Sequence, residues 1–244
     1  MSAPKYLRQI LSQVQDISKR KQRSLLVFDL DSTLFDVSPR IQKILQNFSE
    51  DPTFQTLFPE NCQALKKISV HSSDWGFKQA LVRAGLDGHH PEFHDALKEF
   101  WQKTFFSNEY LEYDLPYAGA IEYVHKLFSQ GADIAYLTGR DTFRMGTGTE
   151  KILKKWNFPL HEDRAQLYLK PDMKMDDAQF KSDYFLNLKT DFYSRIWLFE
   201  NEPTNIHLVR NDHNHVEVVF FESTHSGKSA VPVDLPKIIN YLLD

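Results

Sequence analysis

Two aspartates one residue apart, Asp29 and Asp31, close the apolar run Leu25-Leu26-Val27-Phe28, and Thr33 follows them. Carboxylates this close repel each other. They are tolerable if a cation lies between them or if one acid keeps a proton. The chemistry-free alternative is a strand followed by an Asp-capped turn. A second apolar run ends Leu137-Thr138-Gly139-Arg140-Asp141. Such a tip offers an anion one hydroxyl donor and an open backbone N–H. A third run, Ile196-Trp197-Leu198-Phe199, ends in Glu200-Asn201-Glu202.

These residues need a frame. Residues 25–28 read as a strand buried on both faces, as in a parallel sheet. Open parallel sheets bind ligands beyond the carboxyl ends of their strands, so Asp29 and Asp31 are expected at the rim. From residue 112 onward strand and helix patterns alternate. Strands are expected over 132–137, 166–169, 196–199 and 216–221. Helices are expected around Ile121-Val124-Leu127, Ile152-Leu153-Trp156 and 180–188, with a closing helix over 235–243. That alternation argues for βαβ units in an α/β fold. Residues 37–110 differ, because apolar positions recur only at helical spacing, as in Ile41-Ile44-Leu45-Phe48 and Phe93-Leu97-Phe100-Trp101. They read as an all-helical insertion directly after the first strand. Residues 4–20 read as an amphipathic helix packed on the core or the insertion, with dimerisation as the minor alternative.

Composition narrows the partners. The 244 residues carry a net charge of −4, so no global field favours nucleic acid or an anionic membrane. One cysteine, Cys62, excludes an intrachain disulfide and fits a cytoplasmic setting. No apolar stretch approaches the ~20 residues of a membrane span, and a signal-peptide core is not expected.

The segment Phe28-Asp29-Leu30-Asp31-Ser32-Thr33 resembles the first motif of the haloacid dehalogenase superfamily of phosphohydrolases, Asp-x-Asp-x-Thr after a hydrophobic strand. The resemblance implies a Rossmann-like three-layer core with a parallel sheet over 1–36 and 112–244, and a helical cap over 37–111. Thr138 matches the second motif, which binds the transferring phosphoryl group, with the Gly139 N–H beside it. The resemblance also implies a lysine before the last catalytic strand. Lys181 is the first choice and Lys189 the second, with Lys170 and Lys174 also available. Glu200 matches the acidic fourth motif, where the family usually has aspartates. A second acid there would fall on Thr204 or Asn205, neither ionised, while Asn205 or Glu202 is left for an outer contact. Asp29, Asp31 and Glu200 are then expected to hold Mg²⁺. Asp29 would attack phosphorus, Asp31 would handle the leaving-group and water protons, and Lys181 would bind the phosphate. An acid at position 31 points to phosphoryl transfer rather than dehalogenation. The expectation is a Mg²⁺-dependent phosphatase for a small phosphorylated metabolite. A regulatory phospholigand-binding protein and a phosphomutase or phosphotransferase stay open, as do the substrate and the oligomeric state.

Other signals are set aside. His90 and His94 lie four apart, but Pro91 puts His90 at a helix start and no third metal ligand is evident. His207, Asp212, His213 and His215 read as a polar surface loop. Gly227-Lys228-Ser229 lacks the upstream glycine of a phosphate-binding loop. Thr147 with Glu150 reads as a capping box that opens a helix. Asp36 and Arg40, where the insertion begins, are expected either to touch substrate or to cap its first helix.

Overall fold

The computed structural model describes residues 2–86, 88, 90–160 and 163–244. The chain opens with α1 (Ala3–Lys19) and β1 (Arg23–Phe28), then β2 (Phe35–Asp36). A helical stretch follows: α2 (Ser38–Glu50), α3 (Pro52–Leu57), α4 (Pro59–Leu65), α5 (Lys78–Arg83) and α6 (Pro91–Phe105). A short 3₁₀ turn, Tyr110–Tyr113, leads to β3 (Leu115–Pro116). Then come α7 (Ala120–Ser129), β4 (Asp133–Asp141), α8 (Thr142–Lys155), β5 (Ala165–Lys170) and α9 (Asp177–Asn187). The chain closes with β6 (Tyr193–Glu200), α10 (Pro203–Asp212), β7 (Val216–Phe221) and β8 (Lys237–Ile238).

Six strands form one sheet in the order β5-β4-β1-β6-β7-β8, every pair parallel. Alternation along β1 divides the core. On one face Leu26 and Phe28 pack with Leu7, Ile10 and Val14 of α1 and with apolar residues of α7 and α8. On the other, Leu25 and Val27 pack with α9 and α10. Helices therefore cover the sheet on both sides, as continuous apolar strands require. Each buried large apolar side chain contributes about 1.5–3 kcal/mol.

The insertion has its own apolar cluster, built from Val37, Ile41, Leu45, Phe48, Leu65, Phe93 and Leu97. The antiparallel β2–β3 ribbon carries the chain into and out of this helical stretch.

Three expectations change. Residues 235–243 form no helix: Pro232 and Pro236 supply no N–H, and the open edge of β7 takes up the chain as β8. Beyond β8, Tyr241 N donates to Ala118 O, and a side chain at Gly119 (φ +77°) would meet the Tyr241 backbone at 2.7 Å. Thr147 caps nothing, because α8 begins five residues earlier, where Asp141 accepts from Arg144 N. The glycines inside α8 do not end it: a Cβ at Gly148 would lie 2.5 Å from Asn108 O, so close packing occupies that face. Finally, residues 207–212 belong to α10 rather than to a loop.

Candidate active site

The β1 strand delivers Asp29 to the sheet rim, and Asp29 N donates to Phe199 O of β6 at 3.0 Å. Phe28 pairs with Phe199, which sets Glu200 level with Asp29. On the other side Phe28 pairs with Tyr136, so Thr138 sits two residues beyond on the neighbouring strand. The turn after Asp29 is tight. Leu30 O accepts from the N–H groups of Thr33, Leu34 and Phe35, and Ser32 takes a left-handed φ of +60°. That conformation costs a non-glycine residue roughly 1 kcal/mol. Thr33 is buried, and its hydroxyl donates to Asn201 Oδ1 at 3.1 Å, tying this turn to the one after β6.

Lys181, buried on α9, donates to Asp29 Oδ1 at 2.6 Å and to Glu200 Oε2 at 2.5 Å. Glu200 is saturated. Its Oε1 accepts from the Asn201 and Glu202 N–H groups, and its Oε2 also accepts from Asn205 Nδ2. Asp29 Oδ2 has no such donor among the described residues. Two carboxylates facing one ammonium leave one negative charge uncompensated. Burial lifts the Asp29 carboxyl from 3.8 to about 7; Lys181 opposes the rise and Glu200 adds to it. Burial disfavours the Lys181 ammonium, but Asp29 and Glu200 outweigh it and hold its pKa above the ordinary value.

Asp31 lies in a different environment. Arg140 donates to both of its oxygens, at 2.9 and 2.8 Å, and Arg40 donates to Oδ1 at 2.5 Å. Burial pushes the Asp31 carboxyl up, but Arg140 and Arg40 outweigh it and hold it well below the usual carboxylate range. Both arginines also grip Asp114, which is fully buried. Arg40 thus neither caps α2 nor points away from the core. Asp36 does the local work, accepting from Ser38 N at 2.8 Å.

The remaining lysines lie apart. Lys189 and Lys174 are exposed. Lys170 is buried and pairs with Asp177 while donating to Met175 O. Asp177 approaches Gly139, where a Cβ would meet its carboxylate at 2.7 Å. Thr138 is buried, and its hydroxyl accepts from Arg140 N at 3.3 Å.

One histidine departs from the surface reading. His213 is buried, with Nε2 2.9 Å from Ser182 O and 3.0 Å from Ser182 Oγ. Asp212 completes a Ser–His–Asp set by type, but the serine hydroxyl donates to Asp212. The set joins α9 to α10 and presents no activated nucleophile. Among the described residues, no three His, Cys, Asp or Glu side chains converge as a metal cluster. No local signal marks Arg40, Asp114 and Arg140 as partners in one cluster with Asp31, since they come from separated parts of the chain.

The sequence profile of the haloacid dehalogenase-like hydrolases matches residues 24–155, more than half of the chain. This chain belongs to the haloacid dehalogenase-like hydrolases. A Bacillus cereus protein named provisionally as a nucleotidase is 26% identical over 163 residues, covering 66% of this chain and 75% of its own. Two solved structures share the fold. A provisionally named phosphatase from Clostridium difficile has a TM-score of 0.54 at 15% identity, covering 85% of this chain and 89% of its own. A provisionally named hydrolase of the same superfamily from Bacillus subtilis, bound to magnesium, has a TM-score of 0.53 at 15% identity, covering 90% of this chain and 95% of its own. Among the described residues, no helix of this hydrolase is long and apolar enough to cross a membrane.

Proposed function

We propose that this hydrolase is a phosphoric monoester hydrolase acting on a small phosphorylated metabolite through an aspartyl-phosphate intermediate. The observation that carries the reading is Asp29: one oxygen is fixed by Lys181, and the other is without a donor among the described residues. A carboxylate oriented by one contact and open at its second oxygen suits nucleophilic attack.

The steps follow from the neighbours. Asp29 Oδ2 attacks phosphorus, the bond to the leaving oxygen breaks, and Lys181 and the Thr138 hydroxyl bind the equatorial oxygens. Water then attacks the aspartyl phosphate, and Asp31 takes its proton. Asp31, ionised between two arginines, is in the form that accepts a proton. Giving a proton to the leaving oxygen in the first half requires one of these contacts to loosen.

Mg²⁺ fits the donor set, because the Asp29–Lys181–Glu200 cluster carries an uncompensated negative charge and hard oxygen donors suit this ion. Asp29, the Asp31 main-chain carbonyl and Glu200 would hold it, with Glu200 exchanging one of its present donors. When bound, it supplies charge neutralisation at the phosphoryl oxygens. The nucleotidase name of the Bacillus cereus relative makes nucleoside monophosphates the first substrates to assay. The free, buried Cys62 supports a reducing, cytoplasmic setting.

Asp29→Asn is expected to abolish Mg²⁺-dependent hydrolysis of p-nitrophenyl phosphate; unchanged turnover rejects the reading. A second reading, phospholigand binding without turnover, draws on the four donors that saturate Glu200. It is favoured if the folded protein binds phosphate but hydrolyses no ester with Mg²⁺, Mn²⁺ or Co²⁺.

A further inference from the structure

Four charged side chains from four separated segments meet beside the candidate site. Asp31 follows β1, Arg40 lies in the first turn of α2, Asp114 follows the 3₁₀ turn that ends the helical insertion, and Arg140 lies in β4. Arg40 is fully buried. Its Nε and Nη2 form a fork on Asp114 at 2.7 and 2.6 Å, and Nη2 also reaches Asp31 at 2.5 Å. Nη1 donates to Phe105 O at 3.3 Å, and the guanidinium lies 4.4 Å from the Phe105 ring centroid. Two positive and two negative groups balance, so the box, buried except at the 32% exposed Asp31 side chain, is neutral as a unit.

The box sits where the chain passes between core and insertion, next to the β2–β3 ribbon. We propose that Arg40 is a positioning residue: supplied by the first insertion helix and braced by Asp114, it fixes where the Asp31 carboxylate lies at the core site. The placement of Asp31 then depends on how the insertion is seated on the core. A lysine lacks the planar fork and can satisfy only part of this geometry.

The inference rests on the phosphatase reading and concerns its second half. There a water oxygen bonds to phosphorus, the bond from phosphorus to the Asp29 oxygen breaks, and the water proton passes to Asp31. Asp29 returns as a carboxylate and phosphate leaves. Nitrophenolate needs no proton to depart, so the first half with p-nitrophenyl phosphate makes little demand on Asp31.

The test uses Arg40→Met/Asp114→Asn, which keeps the box neutral, and Arg40→Lys, which keeps the charge and loses the fork. Both are followed by rapid-mix and steady-state release of nitrophenolate with Mg²⁺. The expected result is a burst near one equivalent, followed by a steady rate at least tenfold below that of the unaltered protein. Asp31→Asn should give the same pattern. Two results overturn the proposal: an equal loss of burst and steady rate in a variant that melts cooperatively, or unaltered kinetics in both variants. If the double variant fails to fold, Arg40→Lys decides. Should the unaltered protein release no nitrophenolate, the phosphatase reading falls and this inference with it. If it turns over and the variants match it, only the inference falls.

Discussion

Lys181 separates two carboxylates that would otherwise lie side by side out of water. Removing it exposes each to the other in a low-dielectric setting. Lys181→Met is therefore expected to lower the stability of the metal-free protein by about 3–5 kcal/mol, the usual cost of stranding a buried charge. Chemical denaturation checks that figure. The same change removes a donor to the transferring phosphoryl group and should lower kcat by roughly 10²–10³. A variant that keeps full kcat would remove Lys181 from the mechanism. The site's asymmetry also lies at this scale. A single residue separates Asp29 from Asp31, yet one is lifted by burial and the other held down by arginines.

At the scale of elements, the end of β4 does two jobs. It presents Thr138 at the rim, and its last residue, Asp141, caps α8 by accepting from Arg144 N at 2.9 Å. Asp141→Ala should cost about 1 kcal/mol, read as a lower midpoint in urea. Gly148, deeper in the same helix, touches the backbone of Asn108. Gly148→Ala gains helix propensity but drives a Cβ against Asn108 O at 2.5 Å. The clash with backbone wins, and a net loss of about 1–3 kcal/mol is expected by the same denaturation measurement.

Much of this level is legible in the sequence. The apolar runs before Asp29, Thr138 and Glu200 mark strands because their residues are buried on both faces of a covered sheet. Residues 235–243 mislead because their apolar spacing resembles a helix stripe, while the unpaired edge of β7 is not visible along the chain. Thr147 misleads because its sequence suits a cap, whereas Asp141 already occupies that role.

For the whole molecule, the uncompensated charge at Asp29 gives a pH dependence of known sign. Its folded pKa, about 7, exceeds the ordinary 3.8. The associated stability is present below about pH 4 and is lost as pH rises through 7. Asp31 acts in the opposite sense, because its folded pKa is lowered, so its contribution is lost as pH falls below 3.8. Metal-free protein should therefore melt at lower temperature at pH 8 than at pH 5 on account of Asp29, and Asp29→Asn should flatten that slope. Added Mg²⁺ should raise the melting temperature at pH 8, since an ion that binds only the folded form stabilises it. Asp29→Asn should weaken that rise, and calorimetry with and without the ion reads both effects.

The chain by itself determined the central strands β1, β4, β5, β6 and β7, the helical insertion and the rim location of Asp29, because burial and periodicity are local properties of the residues that bear them. With the family resemblance it also made Lys181 the first of four candidate lysines, and the fold sets that ammonium between Asp29 and Glu200. Only the tertiary structure decided that Asp31 lies between two arginines: Arg40 meets Asp114 across 74 residues, and Arg140 meets Asp31 across 109. Charge neutralisation inside a protein depends on distance in space, and no spacing along the sequence encodes which of 29 basic residues will be buried beside which acid.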